Sequence, residues 1–280
     1  MSRIMVQATS SNAGKTTIAA LLCAHRHAQG RDVAPFKTLN ISLNSYVTKE
    51  GGEIAISQAF QSWACGLEPE TDMNPILLKP KGDGMQLVLQ GRPFMDVGRG
   101  IPVPREEIFA AAMRSHDALA SRHEDLIIEG SGSPAEINLR KQDIANMRTA
   151  AHSKAPVILV GDIERGGVFA ALYGTYELLE EKHKPLVKGF LINRFRGEES
   201  ILITGIQRLE REMGAPCLGV MPYLRLALPG EDALDLGKGI RASGTGDVRD
   251  AWQSSLQEML RASREHVRFD LIDEIMNKGC

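Results

Sequence analysis

Short, unbroken apolar runs alternate along this chain with longer stretches in which apolar side chains return every three or four positions. The runs fall at residues 4–8, 33–36, 126–129, 157–162, 187–193 and 218–221. Continuous apolarity is what a strand buried on both faces requires, so these are predicted to be parallel strands. A weaker run at 86–90 is predicted as an edge strand. Helical spacing covers 15–29, 54–65, 105–122, 144–151, 168–179 and 200–213. Alternating strands and helices predict an α/β fold, a mainly parallel sheet with flanking helices. Residues 68–100 are punctuated by Pro and Gly and read as long loops with some strand. After Tyr223 the texture changes. Gly-rich residues 237–246 read as linker, and residues 248–277 resume helical spacing through Trp252, Leu256, Met259, Val267, Leu271 and Ile275. The expected organisation is a domain over 1–230, a linker over 231–247 and a C-terminal helical tail over 248–280.

The first strand runs directly into Thr9-Ser10-Ser11-Asn12-Ala13-Gly14-Lys15-Thr16-Thr17, and a helix follows. A turn of small residues at the positive end of a helix offers backbone N–H groups to an anion, as phosphate-binding loops do. Ser11 to Thr17 are therefore the expected phosphate-binding residues. Lys15 is suited to the outer phosphates and the Thr16 hydroxyl to Mg²⁺. A strict match would have Gly where Thr9 stands.

In parallel α/β sheets, ligands gather at the carboxyl ends of the strands. Lys37, Glu129, Asp162 and Asn193 all lie at or just after predicted strand ends. Lys37 is suited to neutralise transferring phosphate, or is a surface lysine at a loop start. Glu129, followed by Gly130-Ser131-Gly132-Ser133-Pro134, is suited to a hard cation, or fixes its own loop. Asp143 precedes an apolar helical run, so it is either an N-cap or an acid facing the substrate. Asn193 carries donor and acceptor together, which suits the edge of adenine; turn formation is the alternative.

The 280 residues carry 33 basic and 35 acidic side chains, a near balance that excludes a broad basic field for nucleic acid or anionic lipid. With 5% aromatic residues, a base-stacking platform is not expected either. No apolar run is long enough to span a bilayer. Cys23, Cys65, Cys217 and Cys280 are far apart and unpaired in spacing. They suggest reduced thiols and a cytoplasmic location, and the chain opens on a strand rather than a signal peptide.

Several longer segments resemble the ATP-binding synthetase domain of cobyric acid synthase (CobQ), in the dethiobiotin synthetase-like group of P-loop proteins. They are Ala34-Pro35-Phe36-Lys37, Met73-Asn74-Pro75-Ile76-Leu77-Leu78-Lys79-Pro80, Glu129 through Leu139, Asp143-Ile144-Ala145-Asn146-Met147, and Ile192-Asn193-Arg194-Phe195-Arg196-Gly197. The resemblance runs in order from about residue 3 to about 223. It implies ATP-dependent amidation of corrinoid side-chain carboxylates, cobyrinic acid a,c-diamide-like or of a related tetrapyrrole, through an acyl phosphate in cobalamin biosynthesis. It also implies roles. Lys15 and Lys37 would cradle phosphate; Thr16, Glu129 and Glu53 would hold Mg²⁺. Asp143 would stand near the acyl phosphate, and Asn193, with the Pro222-Tyr223 turn, would bind adenine.

Synthases of this type continue into a glutamine amidotransferase domain with a nucleophilic Cys, which is not recognised here. Ammonia is therefore expected from solution or from a separate glutaminase subunit. The apolar stripe of the tail would dock such a partner, a second copy of the chain as a homodimer, or the chain's own domain. The chain also departs from the family after Met95-Asp96, where Val97-Gly98-Arg99-Gly100 replaces a Tyr-His-Asp-Tyr-Lys element. Two other readings are an ATP-switched partner-binding protein of the ParA/MinD type and a nucleotide- or corrinoid-binding homologue that does not amidate. The switch ATPases carry a signature lysine where this chain has Ser10, which argues against the first of these.

Overall fold

The computed structural model describes residues 2–98, 100–226 and 248–279. The linker expected at 231–247, Arg99 and Cys280 lie outside the described residues. Twelve strands are described: β1 (Ser2–Ala8), β2 (Val33–Phe36), β3 (Leu39–Ile41), β4 (Ser45–Val47), β5 (Glu53–Ala55), β6 (Ile76–Lys81), β7 (Gly84–Leu89), β8 (Arg92–Val97), β9 (Asp125–Glu129), β10 (Val157–Asp162), β11 (Val187–Phe195) and β12 (Cys217–Pro222). The helices are α1 (Lys15–Ala28), α2 (Ile56–Ala64), α3 (Arg105–Arg122), α4 (Met147–Ser153), α5 (Val168–Glu177), α6 (Ile203–Met213), α7 (Val248–Ser263) and α8 (Phe269–Lys278).

These elements form two compact units, interleaved in sequence. One holds Ala19–Ile127 and the described part of Leu226–Glu258. The other holds Ser2–Ile18, Ile128–Arg225 and the described part of Met259–Cys280.

The second unit is built on parallel strands in the order β12-β11-β10-β1, with the end of β9 beyond β1. In register, Ala8 lies beside Val160 and Asp162 beside Asn193, so the polar strand ends stand at one edge. Ile4, Val6, Ile158, Leu159, Phe190 and Ile192 are completely buried. Each such side chain contributes about 1.5–3 kcal/mol of transfer free energy. α5 packs on β10 and β11, and α8 on β1 and β12.

The tail differs from expectation: two helices replace one. Between them, Val220 N donates to His266 O at 3.0 Å and Arg268 N to Leu218 O at 2.8 Å. Gly219 and Val267 form a bridge between these bonds. A helix cannot present main-chain groups sideways to a sheet edge, so pairing with β12 interrupts it. Gly219 makes the approach possible, because a Cβ there would lie 2.3 Å from His266 O.

In the first unit, β2 lies beside β9. β3-β6-β7-β8 form a second, four-stranded sheet, with β6, β7 and β8 a meander. The predicted edge strand at 86–90 is therefore the middle of three strands inside a region expected to be mostly loop. Their burial is partial, and β6 carries Pro80 in register beside Met85. No long apolar run marks them for that reason. β4 and β5 form a small antiparallel hairpin. Tail residue Trp252 stacks on Trp63, centroids 5.7 Å apart, and meets Phe60 edge-on at 5.9 Å. The apolar stripe of the tail is thus covered here by the chain itself.

Cys23, Cys65 and Cys217 are free, buried thiols. Burial pushes the Cys65 thiol well up, with Cys23 adding to the effect, and pushes Cys217 up to about 11. No helix among the described residues is long and apolar enough to cross a membrane.

Candidate nucleotide site

β1 ends at Ala8, and Thr9 N is anchored to Val160 O at 3.0 Å. The chain then turns through Asn12 (φ 58°) and Gly14 (φ 99°) into α1, whose first turn contains no acidic residue. A left-handed residue and a glycine are what a tight anion-binding turn needs. Ser11 and Asn12 are exposed, whereas Ala13, Lys15 and Thr16 are buried. The Lys15 ammonium donates to Ser10 O at 3.0 Å and to Gly132 O at 2.9 Å. The Thr16 hydroxyl donates to Glu129 Oε1 at 2.6 Å. Glu129, singled out in the sequence apart from the Gly14-Lys15-Thr16 run, is therefore brought against it where β1 and β9 end.

The loop after Glu129 is held by a residue that sequence reasoning passed over. Asn146 Oδ1 accepts from Ser131 N at 3.0 Å, and its Nδ2 donates to Ser131 O at 2.7 Å. Asn146 is fixed in turn by Asp143, whose Oδ1 accepts from Ala145 N and Asn146 N, both at 3.0 Å. These bonds keep residues 144–146 out of the helix, so α4 begins at Met147, three residues later than the apolar spacing predicts. The N-cap position falls to Asn146, so Asp143 is not the N-cap its place in the sequence suggests; its carboxylate instead closes the turn that leads into α4. Burial nonetheless pushes the Asp143 carboxyl above its ordinary value, against the backbone hydrogen bonds that oppose the rise. A raised, half-buried carboxyl in this loop is what an acid serving a reaction would also show.

At the ends of β10 and β11, Asp162 is ion-paired with Arg194 at 2.8 Å, and Ile163 N donates to Asn193 O at 3.1 Å. The partner of Asp162 thus comes from the neighbouring strand, β11. Arg196 pairs with Glu164 at 3.0 Å and lies over the Tyr223 ring, 3.3 Å from its centroid. Pro222 sits in register beside Phe195. Asn193 is buried, and its Nδ2 donates to Ala13 O at 2.9 Å. Its amide reaches the phosphate-loop segment, a contact that spacing in the sequence does not reveal.

Lys37 and Glu53 belong to the first unit. Lys37 follows β2 and is buried. Its N–H donates to Met73 O at 2.9 Å, and its own carbonyl accepts from Asn74 Nδ2 at 3.1 Å. Glu53 accepts from the Ser45 hydroxyl at 2.5 Å and is ion-paired with Lys79. Burial raises its carboxyl, but the Lys79 and Ser45 contacts prevail and hold it below the ordinary value.

The chain spans about half the length of the curated relatives it matches. It is 48% identical to the probable cobyric acid synthase of Methanoculleus marisnigri, over 86% of this chain and 50% of that protein. It is 45% identical to the probable cobyric acid synthase of Archaeoglobus fulgidus, over 100% of this chain and 61% of that one. It is 50% identical to the cobyric acid synthase of Thermodesulfovibrio yellowstonii, over 79% and 45% respectively. Among solved structures, the GDP complex of the signal recognition particle receptor FtsY from Elizabethkingia anophelis aligns with a TM-score of 0.46 and 14% identity, over 91% of this chain and 63% of that one. The CbiA model, described as the CobQ/CobB/MinD/ParA nucleotide binding domain, matches residues 4–229. With most of its length inside that match and the phosphate loop built as described, the chain belongs to the CobQ/CobB/MinD/ParA nucleotide-binding family.

Proposed function

We propose that this chain is the ATP-dependent synthetase part of a cobyric acid synthase-type amide ligase acting in cobalamin biosynthesis. The observation that carries the nucleotide half is the Thr16–Glu129 contact at 2.6 Å, in the loop that also holds Lys15. A hydroxyl and a carboxylate side by side make an all-oxygen donor set, which fits Mg²⁺. When bound, Mg²⁺ would neutralise phosphate charge. The chain's own residues do the rest. The first turn of α1 and residues 11–17 bind phosphate, and Lys15 exchanges two carbonyl oxygens for phosphate oxygens. Lys37 supplies a second cation. Glu53 can join the metal set only by giving up Lys79. Asn193 and the Pro222-Tyr223 turn face the base.

The acceptor half rests on the relatives. A carboxylate resists amines because its charge repels them and oxide is a poor leaving group. Transfer of the γ-phosphoryl group of ATP to a carboxylate oxygen releases ADP and removes both obstacles. Ammonia then attacks the acyl carbon and expels phosphate, leaving the amide. The protein's task is alignment and charge stabilisation. Asp143, with its raised proton affinity, stands as the acid near the acyl phosphate. Cys65 and Cys217 are buried thiols of raised proton affinity, unsuited to glutamine hydrolysis. Ammonia would reach the site from solution or from a glutaminase.

Protein incubated with MgATP, ammonia and cobyrinic acid a,c-diamide should release ADP in step with carboxamide formed, followed by mass spectrometry. No corrinoid-dependent ADP release, with ammonia or with a glutaminase present, would sink the proposal. The ParA/MinD-type reading is disfavoured by Ser10: it offers Lys15 a backbone carbonyl and carries no amine for a partner's nucleotide.

A further inference from the structure

We infer that Asn193 is a positioning residue that braces the phosphate loop from behind and fixes the direction of the Gly14 N–H. Asn193 belongs to the end of β11, where its backbone is itself held. It lies in register with Asp162, its carbonyl accepts from Ile163 N at 3.1 Å, and the next residue, Arg194, is tied to Asp162 at 2.8 Å. From this fixed point its buried amide donates to Ala13 O at 2.9 Å. The peptide between Ala13 and Gly14 is planar, and no cis bond occurs among the described residues. In a trans peptide the carbonyl and the following N–H point in opposite directions. Holding the Ala13 carbonyl toward β11 therefore aims the Gly14 N–H away from it, to the open side of the turn.

That peptide needs an outside brace. Gly14 adopts φ 99°, and glycine is the residue at which a peptide plane turns over most cheaply. The brace in turn requires glycine, because a Cβ at Gly14 would lie 2.1 Å from Asn193 Nδ2. Loop and brace are thus complementary. The side chain that the sequence suggests for adenine recognition thus reaches the phosphate-loop segment.

The inference rests on the nucleotide reading above. It is tested by titration calorimetry with MgATP and with magnesium tripolyphosphate, which has the phosphates and no base, on the wild-type chain, Asn193→Ala and Asn193→Asp. Loss of one buried hydrogen bond should weaken tripolyphosphate about tenfold in Asn193→Ala. ATP should weaken by at least the same factor. The isosteric Asn193→Asp sets a carboxylate against a carbonyl oxygen and should weaken both ligands further. It fills the same space, so it serves if the alanine variant fails to fold. Tripolyphosphate binding that stays at the wild-type value while ATP weakens overturns the brace and leaves the nucleotide reading standing. A lowered melting temperature with unchanged affinities also overturns it. A wild-type chain that binds neither ligand overturns both readings.

Discussion

Each unit contains a buried or half-buried lysine near a carboxylate, and the two are arranged differently. In the second unit, Lys15 donates to the carbonyls of Ser10 and Gly132, while Glu129 accepts from the Thr16 hydroxyl. In the first unit, Lys79 sits directly on Glu53, with Ser45 completing the cluster. A carbonyl partner can be exchanged for a phosphate oxygen with a net gain of charge–charge attraction. Lys79 would have to surrender a full charge first. The carboxyls diverge in the same way: burial wins at Asp143 and raises it, whereas Lys79 and Ser45 win at Glu53 and lower it. An internally neutralised pair holds a fold together; a lysine with carbonyl oxygens among its partners can trade them for a ligand's.

The largest expected effect lies at Lys15. Lys15→Ala should cost on the order of a hundredfold in ATP affinity, because a fixed cation in a buried site is worth far more than one in water. An unchanged dissociation constant in calorimetry would erase the contrast between the two lysines. Asp143→Asn comes next. The amide oxygen can still accept from Ala145 and Asn146, so the turn survives. If the carboxyl serves the reaction, turnover should drop on the order of a hundredfold. The folded-state value of Asp143 is raised, so its contribution to stability is present below the unfolded value, ordinarily 3.8, and is lost as pH rises through the folded value. The asparagine variant should therefore melt no lower than wild type at neutral pH. Full activity in Asp143→Asn would reduce Asp143 to its turn-closing role. The smallest effect is at Glu53→Gln. The folded value of Glu53 is lowered, so its stabilisation is present above the unfolded value, ordinarily 4.5, and is lost as pH falls through the folded one. The substitution should cost about 1 kcal/mol at neutral pH and little in acid, measured by urea unfolding across pH. A shift in the Mg²⁺ requirement of the reaction would instead make Glu53 a metal ligand and blur the comparison.

What could be read in advance follows from burial. β1, β2, β9, β10, β11 and β12 are buried on both faces or nearly so, and each appears in the sequence as an apolar run. The meander β6-β7-β8 is half exposed, carries Lys79-Pro80-Lys81 and the surface pair Lys81–Asp96 at 3.0 Å, and was hidden behind its glycines and prolines. The site divides similarly. Lys15, Thr16 and Glu129 were legible because strand ends and a helix start have local signatures. Asn146 and the Asn193–Ala13 bond were not. Asn193 and Ala13 are 180 residues apart in sequence, and an asparagine's partners depend on what folding brings to it.

The sequence by itself determined the parallel α/β core, the small-residue turn between β1 and α1 and the carboxylate at the end of β9, because each is written in neighbouring residues through hydrophobic period or turn chemistry. Only the tertiary structure decided which polar groups meet. It split the tail into α7 and α8 because the free edge of β12 offered hydrogen bonds that a continuous helix could not take. It made Asp143 the turn-closing group that orders Asn146 and, through it, the loop beside Lys15. It set Asn193 against the phosphate loop. A hydrogen bond needs its partners within about 3 Å, and the fold alone supplies that closeness between residues far apart in the chain.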